Sequence, residues 1–87
     1  MWIVYIVECA DRSLYTGITN DLDRRMAAHA TGKGAKYTQH RRPLTLRYTE
    51  ALDSKGAALR REATIKALTR SAKLTLIAGY SKNSTIR

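Results

Sequence analysis

Eighty-seven residues suffice for one compact domain with a modest core and leave no room for a separate substrate domain. At 44% hydrophobic and 26% charged, the composition excludes a disordered or fibrous chain. The formal charge of +9, from 16 Lys and Arg against 7 Asp and Glu, points to a polyanionic partner, because each phosphate neutralised releases condensed counterions. Charge alone selects no reaction, and a basic protein that only contacts ribosomal RNA carries the same excess. A single cysteine, Cys9, forms no internal disulfide, which suits a reducing cytosol and a cytoplasmic location.

The chain opens with Trp2 to Cys9, apolar on both alternating sets (Ile3, Tyr5 and Val7 against Trp2, Val4 and Ile6), as expected for a strand covered on both faces. This stretch is too short to span a bilayer, lacks a basic segment before it and runs directly into Glu8, so it does not read as a signal peptide. Asp11-Arg12-Ser13 makes a turn, and Leu14 to Ile18 returns as a second strand. Asn20 is the expected cap of a helix with Asp21 and Asp23 in its first turn, ended by Gly32 after Thr31. A polar, basic loop covers Gly32 to Pro43. Leu44 to Glu50 alternates (Leu44, Leu46 and Tyr48 against Thr45, Arg47 and Thr49), which predicts a half-exposed strand. Ser54 caps a second helix to about Leu68. Thr69 or Ser71 opens a shorter one that stops at Gly79. The domain is thus expected over residues 1–79, with a polar, flexible tail over 80–87.

At about 100° per residue, Leu22, Met26 and Ala30 share the packing face of the first helix. His29 falls beside Leu22 on that face, Arg25 sits at its edge, and Arg24 points away. A cation at a core boundary needs an acceptor, and two remain open for Arg25: a carboxylate (Glu8, Glu50 or Glu62) or a bound phosphate. His29 taken alone reads as a hydrogen-bonded core-edge histidine.

Glu62 lies on the second helix inside the stripe defined by Ala58, Leu59 and Ile65. An acid on a packing face is costly unless paired or bound to metal, and a hard oxygen ligand suits Mg²⁺. The competing reading is an i,i+4 pair with Lys66, but exposed pairs contribute only about 0.3–0.5 kcal/mol, too little to justify the position. The metal reading is therefore favoured. His29, His40 and Cys9 lack zinc-ligand spacing, and Gly32-Lys33-Gly34 follows a helix and not a strand, so it is a weak nucleotide-binding signal.

Ile3-Val4-Tyr5 and Tyr15-Thr16-Gly17, then Arg25 ten residues after Tyr15, His29 four later, and Glu62, resemble the GIY-YIG nuclease domain over nearly the whole chain. Leu14 to Thr19, Gly32 to Thr38 and Ala58 to Glu62 are similar to its small stand-alone branch, UPF0213. Each motif is short; their order and spacing carry the resemblance. It implies an α/β (α+β) domain, a three-stranded antiparallel sheet flanked by about three helices. It also implies a Mg²⁺-dependent endonuclease acting on DNA, with repair or recombination as the expected setting. Ile3, Val4 and Thr16 depart from the motif residues without removing a reacting group. Arg12 stands where the hairpin turn commonly carries glycine, so a left-handed conformation there is strained by up to about 2 kcal/mol.

On this resemblance Tyr5, Tyr15, Arg25, His29 and Glu62 form the catalytic set. Glu62 would hold one Mg²⁺ (or Mn²⁺) ion, Arg25 the scissile phosphate, and Tyr5 would act as general base. Tyr15 and His29 would orient the water or the base. Lys33, Lys36, Arg41, Arg42 and Lys66 are expected at backbone phosphates, and Tyr37 at a stacked base unless it is simply packed in its loop. A rival reading is a non-catalytic nucleic-acid-binding module, or a subunit that needs a protein partner for substrate specificity.

Hairpin register tests whether the two tyrosines share a site. A two-residue turn at Asp11-Arg12 pairs positions summing to 23 and separates them, whereas a three-residue loop at Asp11 to Ser13 sums to 24 and brings them together. The odd-length loop is predicted.

Overall fold

The computed structural model describes residues 1–85, with side chains through Tyr80. Three strands, β1 (Trp2–Glu8), β2 (Leu14–Thr19) and β3 (Thr45–Leu52), form one antiparallel sheet in the order β2-β1-β3. Helix α1 (Leu22–Ala30) precedes β3, and α2 (Lys55–Lys66) and α3 (Arg70–Thr85) follow it. The three-stranded sheet and three helices expected from the sequence are both present.

The central position of β1 explains why its apolar residues occupy both alternating sets. Val4, Tyr5, Ile6 and Val7 are all buried. Val4 and Ile6 point to one face, where they form the main core with Tyr48, Ala58 and Ile65 of β3 and α2 and Ile77 of α3. Tyr5 and Val7 point to the other, where α1 lies. The sheet thus separates a hydrophobic core from a second layer that contains polar groups.

The tyrosines share that second layer. Tyr5 pairs with Gly17 and Tyr15 with Val7, a register that sums to 22. The loop is odd-length, as predicted, but lies one residue earlier. The Cys9 amide donates to the Ser13 carbonyl (2.8 Å), and the Arg12 amide to the Cys9 carbonyl (2.9 Å), which closes Ala10-Asp11-Arg12. Asp11 accepts from the Ser13 amide and hydroxyl, holding this form of the turn. Arg12 then takes φ 71°, the left-handed residue that ends such a three-residue loop.

Several boundaries differ from expectation, each for a local reason. Asp21, not Asn20, caps α1: its carboxylate accepts from the Arg24 amide (3.1 Å). The Thr19 hydroxyl binds both backbone groups of Asp21 and sets the helix start one residue later. Strand β3 is shifted two residues later at its end, and a bulge at Arg47 breaks its alternation between the Ile6 and Val7 partners. Leu46 therefore joins the face of Val7, while Tyr48 stays with Ile6. Ser54 caps α2 as expected, but that helix ends at Lys66. Thr69 opens α3 by accepting from the Ala72 amide (3.1 Å). This helix is the longest of the three and passes Gly79, because Tyr80 packs edge-on against Tyr48 and its hydroxyl meets that of Thr49 (3.1 Å). Tertiary packing outweighs one glycine. Of the expected tail, residues 80–85 are helical and 86–87 lie outside the described residues.

Arg12→Gly should stabilise the fold by about 0.5–1 kcal/mol, since a left-handed conformation costs an L-residue about 1–2 kcal/mol and glycine returns part of that as entropy. The lost pairing with Glu8 (3.4 Å, with an 80% exposed arginine side chain) contributes little. Thermal unfolding should shift upward by about 2–6 °C; an unchanged or lower midpoint would mean that the turn is unstrained.

Candidate active site

Strand β1 and helix α1 meet through one side-chain pair. The Tyr5 hydroxyl lies 2.8 Å from His29 Nε2, both residues being almost wholly inaccessible, at 0% and 2% exposure. The pair follows from two periodicities: the strand turns Tyr5 to the α1 side, and the helix turns His29 inward beside Met26. On its other side His29 Nδ1 lies 2.9 Å from the Thr38 hydroxyl, which donates to the Ala35 carbonyl at 3.0 Å. Thr38 is completely buried.

Arg25, one turn before His29, donates from Nε to the Tyr5 oxygen (3.1 Å). It also faces Tyr15, and both phenols hold its guanidinium in the charged state. Among the described residues Arg25 pairs with none of the carboxylates left open by the sequence: it rests on a phenol. Tyr15 closes the site from β2, edge-on to the His29 ring at 5.8 Å.

The electrostatics follow from burial. Desolvation pushes the Tyr5 phenol above its usual value near 10, although the Arg25 hydrogen bond opposes the rise. Burial, with Arg25 adding to it, holds His29 below the usual 6.5, so the imidazole is neutral at pH 7.

Two glycines make this packing possible. A Cβ at Gly17 would stand 2.5 Å from the Tyr5 oxygen, and one at Gly34 would overlap His29 Nδ1. Gly34, Ala35 and Thr38 belong to the loop between α1 and β3. Their roles had no signal in the sequence beyond the Gly-Lys-Gly spacing, because a loop that folds back onto a helix shows no periodicity.

Glu62 arrives from α2, whose buried residues Ala58 and Ile65 pack on the opposite face of the sheet. Its side chain is only 18% exposed, it bonds Lys66 at 3.4 Å, and its charge is felt at Tyr5. The i,i+4 pair and the buried-acid position thus coexist. No group of three or more His, Cys, Asp or Glu side chains able to hold a metal occurs among the described residues. A lone hard carboxylate fits Mg²⁺ or Mn²⁺, which take one or two carboxylates and fill the rest with water and phosphate oxygens, and it does not fit zinc.

The expected phosphate contacts divide into two groups. Lys33 and Lys36 form no ion pair among the described residues. Arg41 is held by Asp11 (3.1 Å) and the Tyr37 carbonyl (2.7 Å), and Arg42 by the carbonyls of Gln39 and Ala30. These two arginines fasten the loop. Tyr37 has two neighbours: Tyr15 stacks on its ring at 5.9 Å, and the Arg41 guanidinium sits 3.9 Å from its centroid. Tyr37 is thus packed within its loop while staying 41% exposed.

Gly34→Ala should destabilise the fold by about 1–3 kcal/mol through overpacking against His29. Gly79→Ala, where an added Cβ meets nothing within 4 Å, should instead stabilise α3 by up to about 1 kcal/mol. Urea unfolding of both variants checks the contrast, and equal effects would contradict the steric assignment.

The sequence model of the GIY-YIG catalytic domain matches residues 1–75. A UPF0213 protein of Halobacterium salinarum is 55% identical over 73 residues, covering 84% of this chain and 95% of the relative. One from Streptococcus pyogenes is 54% identical over 80 residues, covering 91% and 87%. The solution structure of a UPF0213 protein from Bacillus halodurans has 51% identity and a TM-score of 0.58, over 90% of this chain and 84% of that one. With the Tyr-Tyr-Arg-His arrangement in place on the same scaffold, the chain belongs to the GIY-YIG catalytic domain family, alongside its UPF0213 members.

Proposed function

We propose that this protein is a metal-dependent endonuclease that hydrolyses a phosphodiester of DNA. The observation that carries the reading is the contact of one cation, Arg25, with a phenol that is itself bonded to a neutral imidazole. A structural arginine is ordinarily satisfied by carboxylates or carbonyls. Here Nε is bonded to Tyr5, and the remaining N–H groups are suited to a bidentate phosphate contact. Lys33 and Lys36 extend positive charge along the loop that covers His29.

In the proposed reaction Arg25 binds the scissile phosphate and offsets the charge that develops on it. Because Tyr5 has no exposed surface, a water reaches its oxygen when phosphate draws the guanidinium outward. The water then gives a proton to the Tyr5 oxygen as Tyr5 passes its own to His29 Nε2. The hydroxide attacks phosphorus, the P–O3′ bond breaks, and the leaving oxygen takes a proton from solvent. Glu62 would hold the magnesium or manganese ion, which when bound supplies positive charge to a phosphate oxygen and to the leaving oxygen. Tyr15, edge-on to the His29 ring, holds Nε2 toward the Tyr5 hydroxyl. A protein partner that supplies substrate specificity is part of the same proposal, as is a role in repair or recombination.

The complete burial of Tyr5 favours one rival, a nucleic-acid-binding module that cuts nothing. Nicking of supercoiled DNA in Mg²⁺ or Mn²⁺ separates the two. Glu62→Ala and Arg25→Ala should each reduce nicking by about 10²-fold or more with the fold retained by circular dichroism. Salt-sensitive binding without nicking in the parent protein would establish the rival instead.

The pH profile gives an independent check. Protonated His29 accepts nothing from Tyr5, and its pKa is held below 6.5. Cleavage should therefore be constant through neutrality and decline in acid with a midpoint below 6.5; a midpoint above 6.5 would contradict the role given to His29.

A further inference from the structure

We propose that Thr38 is a positioning residue for this site: it fixes His29 in the tautomer that leaves Nε2 free to accept the Tyr5 proton. The inference rests on the reading that the Tyr5–His29 pair is the reactive one, and it assigns a role to a loop residue that touches neither substrate nor phenol.

Donor and acceptor capacity along the row of contacts fixes the tautomer. A threonine hydroxyl has one proton, and a carbonyl oxygen only accepts. The Tyr5 oxygen accepts from Arg25 Nε, so its own proton goes to its other partner, His29 Nε2. The Thr38 hydroxyl then turns its proton to the Ala35 carbonyl at 3.0 Å, which also accepts from the Thr38 and Gln39 amides. Toward His29 Nδ1, 2.9 Å away, the same oxygen can therefore only accept, and Nδ1 carries the hydrogen. A neutral imidazole has one N–H, which leaves a lone pair on Nε2. Tyr5 donates to that lone pair at 2.8 Å, and its oxygen accepts from Arg25 Nε at 3.1 Å. Every group in the row from Ala35 to Arg25 is satisfied by this assignment. The opposite tautomer would set an N–H of His29 against the Tyr5 oxygen. The phenol would then lose its acceptor, and the Thr38 hydroxyl would have to leave the Ala35 carbonyl to serve Nδ1.

Burial makes the choice binding. Thr38 is completely inaccessible and His29 nearly so. An unmatched donor or acceptor in this setting has no water to turn to. Gly34 contributes clearance, since its missing side chain is what lets the loop bring Thr38 against Nδ1. The device needs only two features of the loop: a hydroxyl at 38 and the helical-turn geometry that points the Ala35 carbonyl at it.

Long-range ¹H–¹⁵N correlation spectra of the uniformly labelled protein at pH 7 report the tautomer directly. The parent protein should show a protonated Nδ1 and an unprotonated Nε2 at His29. Thr38→Val, which keeps the shape and removes the acceptor, should shift His29 toward the Nε2–H form, and Thr38→Ser should restore the parent pattern. In the nicking assay Thr38→Val should lower the rate constant by about 10²-fold with half-saturating DNA concentration within about two-fold, and Thr38→Ser should recover most of it. If Thr38→Val does not fold, Thr38→Ala carries the same expectation. A protonated Nε2 in the parent protein, or an unchanged His29 spectrum without the hydroxyl, would overturn the proposal. Absence of nicking in the parent protein would overturn the endonuclease reading alone, because the spectra decide the tautomer whether or not DNA is cut.

Discussion

The hydrogen bond between the Tyr5 hydroxyl and His29 Nε2 constrains this structure more than any other single contact. It joins the central strand to a helix 24 residues later, and both partners are sealed from water. Leaving either group unmatched there would cost about 1–3 kcal/mol, a large share of the stability of so small a domain. The neighbouring residues follow from that requirement. Glycine stands at 17 because the phenol oxygen occupies the space of a side chain, and at 34 because the imidazole does. The odd-length hairpin loop is likewise needed, since an even one would turn Tyr15 away from His29. Even the strained Arg12 belongs to this chain of necessity: the three-residue loop that gives the correct parity ends in a left-handed residue.

Charge is organised on both faces of the sheet. Four of the seven acids, Glu8, Asp11, Glu50 and Glu62, take part in the five ion pairs of the described residues, and Asp21 caps α1. Glu50 binds Arg61 and Tyr48, and so fastens β3 to α2 at the edge of the hydrophobic core. Glu8 holds Arg12 and Arg47, which ties the hairpin turn to the β3 bulge. The acids are thus used in fastening elements together, and the excess cations remain on the outside. Arg25 rests on a phenol, whereas Arg12, Arg41, Arg42, Arg47 and Arg61 find carboxylates or carbonyls.

Much of this was legible in the sequence, and the reason is periodicity. Trp2 to Val7 announced a doubly covered strand because both of its alternating sets are apolar, and Arg25, His29 and Glu62 stood out because helical spacing placed polar groups on packing faces. The parity of the hairpin was also accessible, since it depends only on counting. What stayed hidden depends on contacts between distant segments. Thr38 is one polar residue in a polar loop until that loop folds onto α1; the Gly32 to Thr38 match includes it but gives no sign of its role. Arg41 and Arg42 read as phosphate ligands because charge was visible while their internal partners, Asp11 and the carbonyls of Tyr37, Gln39 and Ala30, were not. Gly79 read as a helix stop for the same reason: the packing of Tyr80 on Tyr48 that carries α3 past it spans more than thirty residues.

In the proposed reaction, the burial that shapes the site also bears on which group acts as the base. Desolvation raises the Tyr5 phenol above its usual value, so a free phenolate waiting for substrate at neutral pH is disfavoured. The same desolvation, with Arg25 beside it, lowers His29 and keeps its imidazole neutral and ready to accept. A tyrosine between a water and a neutral histidine need not ionise at all: it gains one proton as it gives up another, and its own high pKa drops out of the balance. The proton then comes to rest on an imidazole that burial keeps neutral, and so able to accept it. On this view the phenol serves as a conduit through a dry layer, Arg25 covers the conduit until phosphate arrives, and the loop behind His29 decides whether the far end of it is open.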